Sequence, residues 1–514
     1  MRPDAVQGQQ SPLDAVEHIV VLMLENRSFD HMLGYLALDE TYPFDVDGLS
    51  PGLQNTYHGT TYPAFRLPST SMRPFETPEH DGPNVDVQLA NGGQGFAEDY
   101  ITTRANPEQR SWAAQPDHCV AMGYHDGQQL PVFDQLARHY VVCDRWFSSV
   151  RGATMPNRLY SVVGTSGGQR ANKKVFGQDF PLYSYPSFVR HLEDAQVSWR
   201  WYRPDLLVPP TLKLFDPLFA LEHEDSFALF EHFETDVASP QFPSVTWIDP
   251  GFFDKFGLHE DDDHPPMDVR RGQRLVERVT NALMGSPHWD TALLVVTYDE
   301  HGGFFDHVSP PAAPDDHPQT RWYGVRVPTL VVSPFVAPGV SSTVFDHTSL
   351  IRTILDRFCP GLSPAVMGKR VANATSLAGL LSGPARPPRE VSGASAGGQG
   401  VALFDATVPT GEGSGDASAE DALATLVHAS SGGLDLLRRI DELGASAGGL
   451  LGPRVEDLKP PGAHDVAGGF PAPPPRPLDD LQRGLLAAAG EVDRARRGRI
   501  AASSAGAPRR PPTA

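Results

Sequence analysis

Glu25 and Asn26 directly follow an apolar run, Ile19–Leu24, and Asp299 and Glu300 directly follow a second run, Leu293–Tyr298. A carboxylate beside an amide oxygen, and two adjacent carboxylates, are donors that a hard or borderline divalent cation takes. Neighbouring acids repel each other and lose hydration unless something positive compensates them. Each segment also has a plainer reading, for Ser28 or Asp30 can cap a helix that opens in the turn ENRSFDH. The recurrence of the pattern at two run ends argues for the cation.

A hydroxyl completes the set. In Ser148–Tyr160, SSVRGATMPNRLY, Pro156 suits the first turn of a helix and places Thr154 near that helix's N-terminus. Free backbone N–H groups there hold a phosphate, and a hydroxyl beside a metal can become an alkoxide nucleophile. Thr154 as a simple helix cap is the alternative.

ENRSFDH, GATMPNRLY, the DDHPP block at Asp262–Pro266 and YDEHGGFFDHV at Tyr298–Val308 together resemble the bacterial phosphoesterase family. That family holds phospholipases C and acid phosphatases on an alkaline phosphatase-like fold. The resemblance runs in order from about His18 to Phe358. It implies one divalent metal ion, of unknown identity, held by Glu25, Asn26, Thr154, Asp299 and Glu300. It further implies Thr154 as nucleophile, His264 facing the scissile phosphate, and His80 as another active-site histidine in a looser motif. Asn26 and His307 would attend the substrate phosphate, with His307 orienting the site from behind the carboxylate pair. His347 reads instead as part of a helix start. The adjacent histidine pair of some acid phosphatases has no counterpart, and the carboxy-terminal β-domains of larger phospholipases C are missing.

The elements behind these residues follow from pattern. Six apolar residues without alternation suit a strand buried on both faces, and ligands bind beyond the carboxyl ends of such strands. Further strands are expected at Val197–Tyr202, Val245–Ile248 and Thr329–Val332. Helical spacing appears at Leu130, Phe133 and Ala137, and again at Val269, Val276, Val279 and Leu283. The expected class is therefore α/β, a three-layer α/β/α sandwich with a mostly parallel sheet. Tyr35–Arg110, rich in Pro, Gly, Thr and Asn, reads as an irregular excursion over the active-site edge. Composition divides the chain into a catalytic domain (1–383), a Pro/Gly/Ser-rich linker (384–415), a short amphipathic helical tail (416–500) and a disordered end (501–514).

The 514 residues carry 63 acidic against 42 basic side chains, a net charge of −21, with no basic stripe to bind nucleic acid. Three scattered cysteines make neither a disulfide framework nor a thiolate zinc site. No run of eighteen apolar residues suggests a transmembrane span, and no leader pattern is visible, so a cytoplasmic location is the default. The function expected is phospholipase C-type hydrolysis of a phosphodiester such as phosphatidylcholine through a phospho-threonine. An acid phosphatase acting on monoesters is the alternative, and a non-catalytic binding protein on the same fold a remote one. The partner is a phosphate ester, with a phospholipid headgroup met by the aromatic stretches Trp199–Tyr202 and Phe252–Phe256 through cation–π contacts, or those stretches are core.

Overall fold

A computed structural model describes residues 11–393 apart from 73, 74, 76, 105, 173–182, 184, 205–209 and 253–259. The expected tail and end, 416–514, lie outside the described residues, as does the linker beyond 393.

Short apolar runs, β-branched or aromatic, form the strands of the sheet. They are β1 (His18–Leu24), β2 (Val141–Cys143), β3 (Trp199–Arg203), β4 (Phe227–Leu229), β5 (Val245–Ile248), β6 (Ala292–Tyr298), β7 (Leu330–Val332) and β8 (Gly339–Ser341). They join in one sheet in the order β8-β2-β7-β6-β1-β5-β3-β4. Every pairing is parallel except those of β7, which runs against both β6 and β2. Every residue of β1 and β6 is buried, so both faces are covered, as the unalternating apolar runs require. Helices α1 (Pro131–His139) and α2 (Arg270–Met284) pack on each other, as do α3 (Thr154–Val163) and α4 (Thr348–Phe358). The result is the mostly parallel α/β sandwich expected.

The register of the two central strands matters most. Leu24 pairs with Tyr298, so the next step along each strand sets Glu25 beside Asp299. Both leave the sheet at the carboxyl edge.

The excursion at 35–110 is more ordered than its composition suggested. It holds a hairpin, Gln54–Tyr57 with Thr60–Pro63, and short helices at Gly82–Gln88, Phe96–Thr102 and Pro107–Ala113. Leu49, Tyr62, Phe75, Phe96 and Tyr100 form a second apolar cluster there with Phe304 and Phe305, just beyond β6. Turn-forming residues at its surface hid a small core that clamps this segment onto the sheet edge.

The domain also runs past the boundary that composition marks at 383. Val391 is buried, and its N–H and carbonyl bond the side chain of Asn281 on α2. The indole of Trp289 donates to the Arg386 carbonyl at 3.0 Å. Among the described residues no helix is long and apolar enough to cross a membrane. A chain ending after Gly383 should therefore be less stable than one ending after Gly393, by about 2 kcal/mol, the worth of one buried valine and its attendant bonds. Urea unfolding of the two chains measures this, and equal midpoints would show that the strip merely rests on the surface.

Candidate active site

Past Leu24 the backbone turns sharply, and Asn26 adopts a left-handed φ of 61°. Asparagine tolerates that region better than most side chains. Its N–H donates to Asp299 Oδ1 at 3.0 Å, and the Arg27 N–H donates to the Glu300 carbonyl at 3.0 Å, lacing the two strand ends together. Gly302 must be glycine, since a Cβ there would come within 2.2 Å of the Asn26 carbonyl oxygen. A Cβ on Gly303 would meet the Glu79 carbonyl at 2.4 Å, so the same glycine pair admits the segment that carries His80.

Glu25, Asp299 and Glu300 are all buried, and their compensation comes from Arg158 and His80. Arg158, also buried, lies one turn along α3 from Thr154 on the same helix face. Its Nη2 sits 3.3 Å from Glu25 Oε1 and its Nε 3.2 Å from Asp299 Oδ2. Nη2 also donates to the carbonyls of Met23 and Leu24, capping the end of β1. His80 Nε2 lies 3.6 Å from Glu300 Oε1 and 3.4 Å from Asn26 Nδ2.

Burial raises the Glu25 carboxyl against the pull of Arg158, with Asp299 and Glu300 adding to the rise. Asp299 is raised by burial for the same reason. Burial also acts to raise Glu300, but His80, His301 and the Gly302 N–H outweigh it and hold this carboxyl below its ordinary range. Burial disfavours a charged His80, yet Glu300, Glu79 and Asp81 prevail and raise its pKa.

Two residues brace this group from behind. His301 Nδ1 lies 3.5 Å from Glu300 Oε2, and its Nε2 is bonded to Gln88 at 2.7 Å. His347 accepts from the Trp146 indole at Nδ1, so its Nε2–H donates to the Asp299 carbonyl at 2.5 Å.

The loop after β5 closes the site. The Glu25 N–H donates to the Asp262 carbonyl, and Arg27 Nε to that of Asp263. His264 has Nδ1 committed to the Pro265 carbonyl at 2.6 Å, which leaves Nε2 as the acceptor. Burial, reinforced by His80, pushes its pKa down to about 4.

Several fully buried polar atoms here lack a hydrogen-bond partner: Asn26 Oδ1, Thr154 Oγ1, Glu300 Oε1, Asp262 Oδ2 and His264 Nε2. Orphaned buried oxygens are costly, and a cation is the group that satisfies oxygens of this kind. Glu25, Asn26, Asp299 and Glu300, beside the Thr154 hydroxyl, are the residues whose oxygens could hold a hard divalent ion here.

His307 is placed elsewhere. Both its nitrogens face carboxylates, Asp30 at 2.7 Å and Asp47 at 2.9 Å, so neither is left for a substrate phosphate. Asp30, Asp306 and His307 have their ligand atoms within 4.8 Å of one another, yet Arg326 already bonds Asp30 at 3.1 Å and Asp306 at 2.9 Å. The guanidinium fills the place a metal would take.

The aromatic stretch Trp199–Tyr202 is strand β3, with Trp199, Trp201 and Tyr202 buried, so it is core and not a headgroup cage. Phe252 is buried with Arg158 5.1 Å from its ring centre, and 253–256 lie outside the described residues. The pattern gave no chemistry to Arg158 or Asp262 and read His347 as a helix start. The one available signal was the four-residue spacing from Thr154 to Arg158.

Residues 16–359 match the Phosphoesterase family. Non-specific phospholipase C6 of Arabidopsis thaliana is 32% identical over 383 residues, covering 68% of this chain and 70% of the relative. Phospholipase C A of Mycobacterium tuberculosis is 32% identical over 401 residues, covering 67% of this chain and 73% of its own. Among solved structures, a protein in the Alkaline Phosphatase Superfamily from Vibrio parahaemolyticus overlaps 51% of this chain and 67% of its own, at 9% identity and a TM-score of 0.31.

The Arg326 cluster carries a pH signature. Burial disfavours a charged His307, but the bond to Asp30 and the charges of Asp30 and Asp306 raise its pKa to about 9, with Arg326 opposing. A histidine raised on folding adds stability that is complete below its unfolded pKa of about 6.5 and is lost as pH climbs through about 9. Replacing His307 with Gln should remove that part of the fall in unfolding free energy between these pH values. Parallel profiles for wild type and variant would show that His307 is not charged in the native cluster.

Proposed function

Because the chain belongs to the phosphoesterase family, and is a hydrolase of phosphate esters, we propose that it is a metal-dependent phospholipase C-type diesterase that works through a phospho-threonine. The observation that carries this reading is Thr154 Oγ1, buried and without a partner on the first residue of α3, one turn from the arginine that pairs with Glu25 and Asp299. A divalent ion held by Glu25, Asn26, Asp299 and Glu300 would supply Lewis acidity to the phosphate and lower the pKa of the Thr154 hydroxyl.

The Thr154 hydroxyl releases its proton to solvent and Oγ attacks phosphorus in line; the Oγ–P bond forms and the bond to the leaving alcohol oxygen breaks. The Thr154 N–H at the start of α3 and the Asn26 side chain receive the non-bridging oxygens, where negative charge must be held. His264 meets the substrate through Nε2. Donation to the leaving oxygen needs a protonated ring, which burial disfavours in the free protein. An anionic phosphate beside Nε2 restores that proton, because an opposite charge favours the charged form. In the second step neutral Nε2 takes the proton of a water, which attacks phosphorus and releases Thr154. Arg158 holds Glu25 and Asp299 in register throughout and opposes the rise that burial gives their pKa values.

The diester preference rests on relatives named as phospholipases C and on the threonine, which resembles theirs where the phosphatases tend to use serine.

Thr154→Ala should fall below about 1% of the wild-type rate, while Thr154→Ser keeps substantial turnover, as expected when a hydroxyl acts only in the reacting complex. Residual activity of several per cent in the alanine variant would refute the covalent route. For substrate class, kcat/KM is compared for a soluble phosphocholine diester and a phosphomonoester with the same leaving group. A diester preference is expected. A monoester preference of about tenfold, some 1.4 kcal/mol in transition-state binding, would establish the acid phosphatase reading instead.

A further inference from the structure

Arg151 stands three residues before Thr154, on the turn that leads into α3. A Cβ on Gly82, two residues beyond His80, would lie 3.3 Å from the Arg151 carbonyl, so Arg151 sits where the nucleophile turn meets the His80 segment. Its guanidinium carbon lies 5.0 Å from the ring centre of Trp322, and that indole is 48% exposed, among the most exposed large apolar side chains described. Arg151 makes no ion pair among the described residues, and its buried Nε has no hydrogen-bond partner. Asp86, whose charge it feels, is bonded to Arg170 at 2.6 Å. Arg170 in turn is pinned to the Arg151 and Gly82 carbonyls. Arg158 and Arg326 spend their charge on carboxylates, and Arg27 bonds the Asp263 carbonyl. Arg151 instead lies over a ring with its charge unspent.

A planar guanidinium stacked on an aromatic ring keeps its edge free for a carboxylate or phosphate. The stack also covers a face that a choline cation would need. We propose that Arg151 and Trp322 form an anion-accepting subsite at the lip of the site, which takes a carboxylate or phosphate group carried on the substrate's headgroup. This rests on the diesterase reading for the identity of the headgroup. The subsite then sets which phosphodiesters are preferred, and favours anionic headgroups over cationic ones.

Serine and ethanolamine headgroups differ only by a carboxylate. Each is offered to the purified full-length protein as its soluble p-nitrophenyl phosphodiester and as its phosphomonoester, and the serine-to-ethanolamine ratio of kcat/KM is read. Wild type should favour serine by about tenfold. Arg151→Gln should bring the ratio near one, and Trp322→Ala, at an exposed position, should lower it by about threefold by freeing the guanidinium from its ring. A wild-type ratio of one or less, or a ratio unchanged in both variants, overturns the proposal. If only the monoesters turn over, the diesterase reading fails, and the same ratio on O-phosphoserine against phosphoethanolamine still decides the role of Arg151.

Discussion

Everything at this site follows from two parallel strands paired side by side, each ending in acids. Once Leu24 is opposite Tyr298, Glu25 and Asp299 cannot avoid each other. The cost of crowding buried carboxylates is several kcal/mol per unpaired charge, far more than any single hydrogen bond returns. The surrounding residues make sense as answers to that cost. Arg158 reaches in from α3, His80 from the excursion, and His301 and His347 hold the acids from behind. With one arginine and one histidine against three carboxylates, Glu300 Oε1 is still without a hydrogen-bond partner, as are Asn26 Oδ1 and Thr154 Oγ1, a deficit that a divalent cation would remove. Thr154, the proposed nucleophile, is positioned by the same device, because the helix that brings Arg158 begins with it.

The parts of this arrangement that were legible in the sequence are those where one residue type implies one chemistry. Unalternating apolar runs that stop at acids marked both the central strands and the carboxyl edge, and Val245–Ile248 proved to be a strand with those bounds. The residues that were not legible act through partners distant in the chain. Arg158 pairs with Glu25 across more than a hundred residues, and an arginine in a helix reads as a solvated one until its partner is known. His347 and His307 make the same point in opposite senses. Each follows Phe-Asp, yet one braces Asp299 and the other is absorbed by Asp30, Asp47 and Arg326, a difference set by the tertiary register alone.

Composition misled where packing overrode it. Pro- and Gly-rich stretches signal loops because they lack periodicity, but periodicity is not required to bury a few large side chains. Tyr35–Arg110 gathers its own aromatic cluster, and the strip before Gly393 adheres to α2 through Val391. The aromatic β3 left two readings open, headgroup contact or core. Its tryptophans are sheet core, while an exposed indole, Trp322, lies beside Arg151 in a segment without any motif.

The central claim is that the carboxylates are gathered for a cation and tolerated for no other reason. Calorimetric titration of the metal-free protein with Ca²⁺, Mg²⁺ and Mn²⁺ in turn, against the double variant Asp299→Asn/Glu300→Gln, tests it directly. The wild type should bind one of these ions at a single site per chain. The variant should lose that binding, and with it the rise in unfolding midpoint that the bound ion gives the wild type. Binding that survives the double substitution, or a variant whose unfolding midpoint the ion still raises, would contradict the claim.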